Sequence, residues 1–287
     1  MLKCREMAVA GKFYPASKFT LQKEFNKFLS GYVSPIKSDS LVRALIIPHA
    51  GYSFSGQTAV KTIASALHKR YKRIVIIAPS HYVRFNGIAL PDYEIAKTPF
   101  GDIGVCLDEI EKINNPFFSY IKEAHECEHS LEVELPIIKY FFDSTPILPF
   151  VCGSLNNESI KQISDELLKF WNDDTLWIIS SDFTHYGRNF GYLPFKDNVK
   201  ENIKKLDYGA LEQILGMNLN EFSSYLQKTF ATICGANPIK ILLTVMNNLS
   251  DISKIKPTII EYTTSGEMTD DYSHCVSYAG IAFCYLK

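Results

Sequence analysis

Several things are scarce in this sequence, and each absence narrows the reading. Charge imbalance is one: 30 Lys and Arg stand against 31 Asp and Glu, a formal net charge of -1, so no basic excess points to nucleic acid or an anionic membrane surface as partner. Paired cysteine motifs are another. The seven cysteines (Cys4, Cys106, Cys127, Cys152, Cys234, Cys275 and Cys284) are odd in number and include no C-x-x-C, which suits reduced thiols better than a disulfide framework. Long apolar runs are missing too. The stretches Ser144 to Asn157 and Tyr272 to Leu286 lack Asp, Glu, Lys and Arg, yet both are shorter than the ~18 to 20 apolar residues of a bilayer span. Met1 to Tyr14 intersperses Lys3, Arg5, Glu6 and Lys12 and so lacks the apolar centre of a signal peptide. A cytoplasmic protein without membrane insertion is the expectation. Neither a Walker A loop nor a G-x-G-x-x-G fingerprint occurs, so nucleotide chemistry has no support.

What is present is ordinary globular composition over 287 residues, 46% apolar and 21% charged, without repeats, low-complexity tracts or a linker. One domain over residues 1–287 is expected. Short apolar runs at Ala44–Ile47, Ile74–Ala78, Pro146–Val151, Leu176–Ile179, Thr258–Tyr262 and Val276–Leu286 read as strands buried on both faces. Helical periodicity marks Thr58–Arg70, Leu131–Phe142, Ser159–Trp171 and Pro238–Asn248 between them. Two further stretches, Val199–Leu215 and Asn220–Lys228, predict an all-helical flank. Strands alternating with helices predict an α/β fold with a layered sheet flanked by helices.

Three of these strands run into chemistry-bearing residues: Ile47-Pro48 into His49, Pro79-Ser80 into His81, and Ser180-Ser181 into Asp182 with His185 just beyond. In open α/β sheets the functional crevice lies outside the carboxyl ends of the strands, and neutral imidazole is the commonest metal ligand. The pair His49 and His81 therefore implies a metal centre. Two residues compete as third ligand. Asp182 would complete a two-His-one-carboxylate face for ferrous iron, whereas Cys234, with the small Gly235 beside it, would shift preference towards copper, zinc or thiolate-bound iron.

His125-Glu126-Cys127-Glu128-His129 matches H-E-x-x-H literally. That motif needs one continuous helix, but Ser130, Glu132 and Pro136 predict a helix starting only at or after His129. His125 is accordingly read as a solvated surface residue, and Glu126, Glu128 and His129 as groups that orient the ligand imidazoles from behind. Gly51-Tyr52-Ser53-Phe54-Ser55 sits where a nucleophile elbow would, but the fifth position is Ser55 and Gly56 comes one place late. Ser55 or Thr58 is expected instead to cap the following helix.

Taken together, Ala10-Gly11-Lys12-Phe13-Tyr14-Pro15, the segment from Ile47 to Gly56, Ala78-Pro79-Ser80-His81, Thr98-Pro99-Phe100-Gly101-Asp102, Glu128-His129-Ser130-Leu131-Glu132, the segment from Ser180 to Gly187, and Thr232-Ile233-Cys234-Gly235 resemble the Memo family. The resemblance implies a fold like the class III extradiol ring-cleaving dioxygenases, which are non-haem iron enzymes. It also implies His49, His81 and Cys234 as metal ligands, iron or copper as cofactor, and Asp182 and His185 as catalytic pocket residues, with His185 in the place of an acid/base histidine. A small-molecule substrate or dioxygen is the implied reactant. Animal members are linked to cell motility and to phosphotyrosine-peptide binding, so a non-catalytic adaptor role and iron handling are the implied alternatives. Two positions depart from the family pattern: His125 stands in a stretch usually acidic or small, and Ala236 where an Arg is common, which removes a guanidinium suited to phosphate.

Overall fold

The computed structural model describes residues 2–286. All six apolar runs form strands: β1 (Leu41–Ile47), β2 (Arg73–Pro79), β3 (Ile147–Cys152), β4 (Thr175–Ser180), β5 (Ile255–Thr264) and β6 (His274–Tyr285). They belong to one nine-stranded sheet. At its centre β1, β4, β2 and β3 lie side by side and parallel. Antiparallel β6 flanks β1, and β5 pairs with β6. Short strands complete the sheet at His185–Gly187, Ile88–Leu90 and Phe118–Tyr120. The expected layered α/β architecture is what forms.

The continuous apolar runs are explained by two cores, one per face. Along β1, Leu45 and Ile47 enter one core while Ala44 and Ile46 enter the other, and β2 divides Ile74 and Ile76 from Val75 and Ile77 in the same way. Because strand side chains alternate faces, a strand covered on both sides must be apolar at every position. Helices α1 (Lys18–Phe28), α2 (Gln57–Ala64) and α3 (Glu134–Phe142) supply Phe25, Val60, Ile63 and Leu135 to the first core. The second takes Ile163, Leu211, Phe222 and Leu242 from α4 (Asn157–Leu167), α5 (Val199–Leu215), α6 (Leu219–Thr229) and α7 (Ala236–Asn247). Each such side chain contributes roughly 1.5 to 3 kcal/mol by leaving water.

Four expectations need correction. Helix α1 was not foreseen. Strand β5 is half-buried rather than buried on both faces, because it hydrogen-bonds on one side only, to β6. Helix α2 stops at Ala64 instead of Arg70, and it starts from a π-turn over Tyr52–Gly56 rather than from a side-chain cap. Ser55 Oγ donates to the Ala50 carbonyl and Thr58 Oγ1 to Glu261, and among the described residues no side chain accepts from the helix's first amides. The helix expected over Leu131–Phe142 is split at Val133 into a turn at His129–Glu132 and α3. As anticipated, the H-E-x-x-H stretch is not one helix: Lys122–Glu126 forms a separate turn, and Glu128 caps the next by accepting from Ser130 N.

Candidate metal centre

Parallel strands end on one edge of a sheet, and the register makes these ends meet. Ile47 of β1 lies beside Ser180 of β4, and the Ser181 amide donates to the Ile47 carbonyl at 2.8 Å. His49 and Asp182 leave from those ends, and His81 from the end of the next strand, β2. Cys234 arrives from the second layer, just ahead of α7. Gly235 makes that approach feasible: a Cβ there would lie 2.3 Å from Ser181 Cβ and 2.7 Å from the Ser180 carbonyl oxygen, so only glycine lets this segment close on β4.

His49, His81 and Cys234 present ligand atoms that all lie within 4.8 Å of one another. Cys234 Sγ is 3.2 Å from His49 Nε2. Metal bonds of ~2.0 to 2.3 Å to N and S would set donors roughly 3 to 4 Å apart, so the group fits an ion with little adjustment. The outer nitrogens are already engaged: His49 Nδ1 lies 2.7 Å from Ser180 Oγ and His81 Nδ1 2.8 Å from Glu128 Oε1. Both Nε2 atoms are thereby left to face inward. Burial, and then the neighbouring rings of His81, His129 and His185, hold His49 well below the ordinary histidine range, so this ring is neutral and able to ligate. Burial and the nearby Asp182 charge keep the Cys234 thiol protonated in the metal-free chain. A cation beside the sulfur would reverse that preference.

Glu128 sits directly behind His81. Its carboxylate accepts from His81 Nδ1, from the His81 amide at 2.6 Å and from Ser130. Burial opposes its ionisation, yet the His81 hydrogen bonds hold its carboxyl below the usual carboxylate range. His129 is placed differently from expectation. Its ring centroid lies 4.5 Å from that of His81 and 5.5 Å from that of His49, so it lines the centre rather than supporting it. Its buried Nδ1 has no hydrogen-bond partner, standing 3.4 Å from Glu128 without suitable geometry. Burial, then the adjacent His81, push this ring down to about 4.

Asp182 Oδ1 accepts from the His49 amide at 2.8 Å, and the Asp182 amide donates to Cys234 Sγ at 3.1 Å. One residue thus braces two of the three donors. Burial raises its carboxyl above the ordinary range, against the opposing pull of His185. His185 Nδ1 faces the Phe183 and Thr232 carbonyls at 2.9 and 3.0 Å. Carbonyls only accept, so Nδ1 carries a hydrogen and Nε2 is the nitrogen free to exchange a proton.

The profile described as Memo-like protein matches residues 5–282. The chain belongs to the Memo-like family. It is 31% identical over 293 residues to Protein memo-1 homolog of Caenorhabditis elegans, covering 98% of this chain and 83% of that one. It is 30% identical to Protein MEMO1 of Homo sapiens, over 96% of each chain. To a MEMO1 family protein of Nitrosopumilus maritimus it is 29% identical, covering 97% and 99%.

Within this Memo-like chain two sequence readings do not survive the structure. Glu126 points to the surface, paired with Lys122 at 3.0 Å, and donates or accepts nothing at the imidazoles among the described residues. His125 is not solvated: it is 1% exposed, with Nε2 3.0 Å from the Ala89 carbonyl and Nδ1 3.2 Å from Tyr93 Oη. A charged-looking stretch hid a buried histidine because Tyr93 and Ala89 come from a distant part of the chain.

Sequence reasoning also missed three contributors. Arg5 and Glu132 form a fully buried ion pair at 2.7 Å. Glu134 and Ser180 form a contact behind His49. Arg84 lines a cavity of about 210 Å³ on the sulfur side of the centre, with Ser80, Phe85, Cys152, Cys234 and Asn237, and makes no ion pair among the described residues. The seven cysteines are free thiols, as expected. No helix among the described residues is long and apolar enough to cross a membrane.

Proposed function

We propose that this Memo-like protein is a metal-dependent oxidoreductase whose centre, held by His49, His81 and Cys234, takes iron, with copper as the alternative. Dioxygen or a small-molecule substrate is the proposed reactant. The reading is carried by one observation: two imidazoles and a thiol converge within 4.8 Å while Ser180 and Glu128 occupy the outer nitrogens. An iron or copper ion bound there would supply open coordination positions and one-electron chemistry.

The residues around the centre have separable tasks. Glu128 and Ser180 aim the two rings. Asp182 holds the His49 amide and, through its own amide, the Cys234 sulfur, so it fixes the spacing of the donors. His185, its Nδ1 spent on carbonyls, takes and returns a proton at Nε2. His81 is the more open ligand, its side chain 28% exposed, which leaves an approach from solvent. The cavity beside Cys234 admits only a small molecule, and Arg84 favours one bearing negative charge.

Metal content of protein purified without chelator, read with oxygen uptake, tests the proposal. Near-stoichiometric iron or copper, lost in His49→Ala and Cys234→Ser together with oxygen uptake, is the expected result. Sub-stoichiometric metal that His49→Ala leaves unchanged would sink it. Phosphotyrosine-peptide binding that survives chelation in both variants would favour an adaptor role, and iron uptake without oxygen consumption would favour iron handling.

A further inference from the structure

The Ser180 hydroxyl has three polar neighbours: His49 Nδ1 at 2.7 Å, the Ser130 carbonyl oxygen at 2.7 Å and Glu134 Oε1 at 2.9 Å. A hydroxyl owns one hydrogen and two lone pairs. The Ser130 carbonyl can only accept, so the single hydrogen goes there; otherwise two oxygens would face each other at 2.7 Å with nothing between them. Both remaining contacts must then donate to Ser180. The imidazole does so as Nδ1–H. Glu134 does so only as a carboxylic acid.

From this hydrogen count we infer that Glu134 is a neutral carboxylic acid which, by donating to Ser180, holds the hydroxyl hydrogen on the Ser130 carbonyl and so helps keep His49 as the Nδ1–H tautomer, with a lone pair on Nε2 turned towards Cys234. Glu134 is a positioning residue two bonds removed from the centre. Separate observations agree. Its side chain is fully buried, no cation pairs with it among the described residues, and Oε2 has no hydrogen-bond partner, a setting in which a carboxylate charge goes uncompensated. The ionisable groups facing it oppose a charge there. The Asp182 carboxyl can only repel a second carboxylate there, and the Tyr52 hydroxyl donates to the Val133 carbonyl instead. Burial accordingly raises Glu134 well above the ordinary carboxyl range. With its only hydrogen given to the Ser130 carbonyl, Ser180 has none left for Nδ1, so the other tautomer, which would aim Nε2–H at the sulfur, is excluded.

The protonation state stands without any metal, whereas its consequence for ligation rests on the proposed metal centre. Infrared difference spectra of the metal-free full-length chain, wild type against Glu134→Gln at pH 8, decide the first. The expected result is a protonated-carboxyl C=O stretch that vanishes in the variant. Carboxylate stretching bands in its place would overturn the inference. Metal titration decides the second. Glu134→Gln still donates an N–H to Ser180 and is expected to stay within a few-fold of wild-type affinity, while Glu134→Met and Ser180→Ala lose roughly 10- to 100-fold. A Glu134→Met protein that is folded by circular dichroism and binds as wild type does would overturn the positioning role. Wild-type protein that takes up no metal would sink the centre itself, with the infrared band still deciding Glu134.

Discussion

Two glutamates, Glu132 and Glu134, sit two residues apart and are equally buried, and their surroundings give them different charge states. Glu132 accepts from Arg5 Nη1 at 2.7 Å, from the Ala8 and Val9 amides at 2.9 Å each and from Tyr14 Oη at 2.9 Å. Three further Arg5 N–H groups donate to the carbonyls of Glu6, His125 and Glu128. Among the described residues the Glu134 side chain has one hydrogen-bond partner, Ser180, and no cation beside it. The first region is an ionic staple tying the N-terminal segment to the loop that carries Glu128 against His81. The second is an uncharged contact facing the ligand His49. Depth alone therefore does not decide whether a carboxyl is ionised; the supply of donors from elsewhere in the chain does.

Breaking the staple should have the largest effect. Arg5→Ala strands a buried carboxylate, and urea unfolding should show a loss of about 3 to 5 kcal/mol. Next comes acid. His125 lies in the stapled loop, and burial lowers it to about 4 in the folded chain. As pH falls below about 6.5 the unfolded chain binds a proton that the folded chain refuses. His125 should thus remove up to about 3 kcal/mol of stability between pH ~6.5 and ~4, beside the same-signed contributions of His49 and His129, and His125→Gln should make that limb shallower in pH-dependent melting. Glu134 has the opposite sign: its raised folded value means stability declines as pH rises through the ordinary carboxyl range, a decline that Glu134→Gln should remove.

Metal loading sharpens the contrast at the centre. Binding should release about one proton, from the Cys234 thiol, at neutral pH, and the release should disappear in Cys234→Ser when followed by calorimetry in buffers of different ionisation enthalpy. The smallest effect is expected from Glu134→Gln on stability, within about 1 kcal/mol of wild type, because an amide replaces a neutral acid of the same shape. The same change at its neighbour, Glu132→Gln, should cost several times more, since it leaves Arg5 buried without its anion. Equal costs at the two positions would erase the distinction between them.

The strands were legible because a strand covered on both faces must be apolar throughout, and runs such as Ile74–Ala78 satisfy that condition without reference to any other part of the chain. Their order and direction were not legible, yet they decide that His49, His81 and Asp182 emerge on one edge. Helix α1 was overlooked because its apolar residues Leu21 and Phe25 are diluted among charged and polar neighbours. The start of α2 was misread because a π-turn, rather than a capping hydroxyl, feeds it.

The sequence by itself determined the alternating α/β order, the residues at the strand ends, the glycine that lets Cys234 approach and, through its motifs, the Memo-like family. Those features are local: each depends on residue type and spacing along a few turns of chain. Tertiary structure alone decided that Glu128 braces His81 while Glu126 does not, that His129 faces the centre, that His125 is buried, and that Glu132 and Glu134 differ in charge. Protonation and hydrogen bonding depend on which donors arrive from distant segments, and a linear pattern does not carry that information.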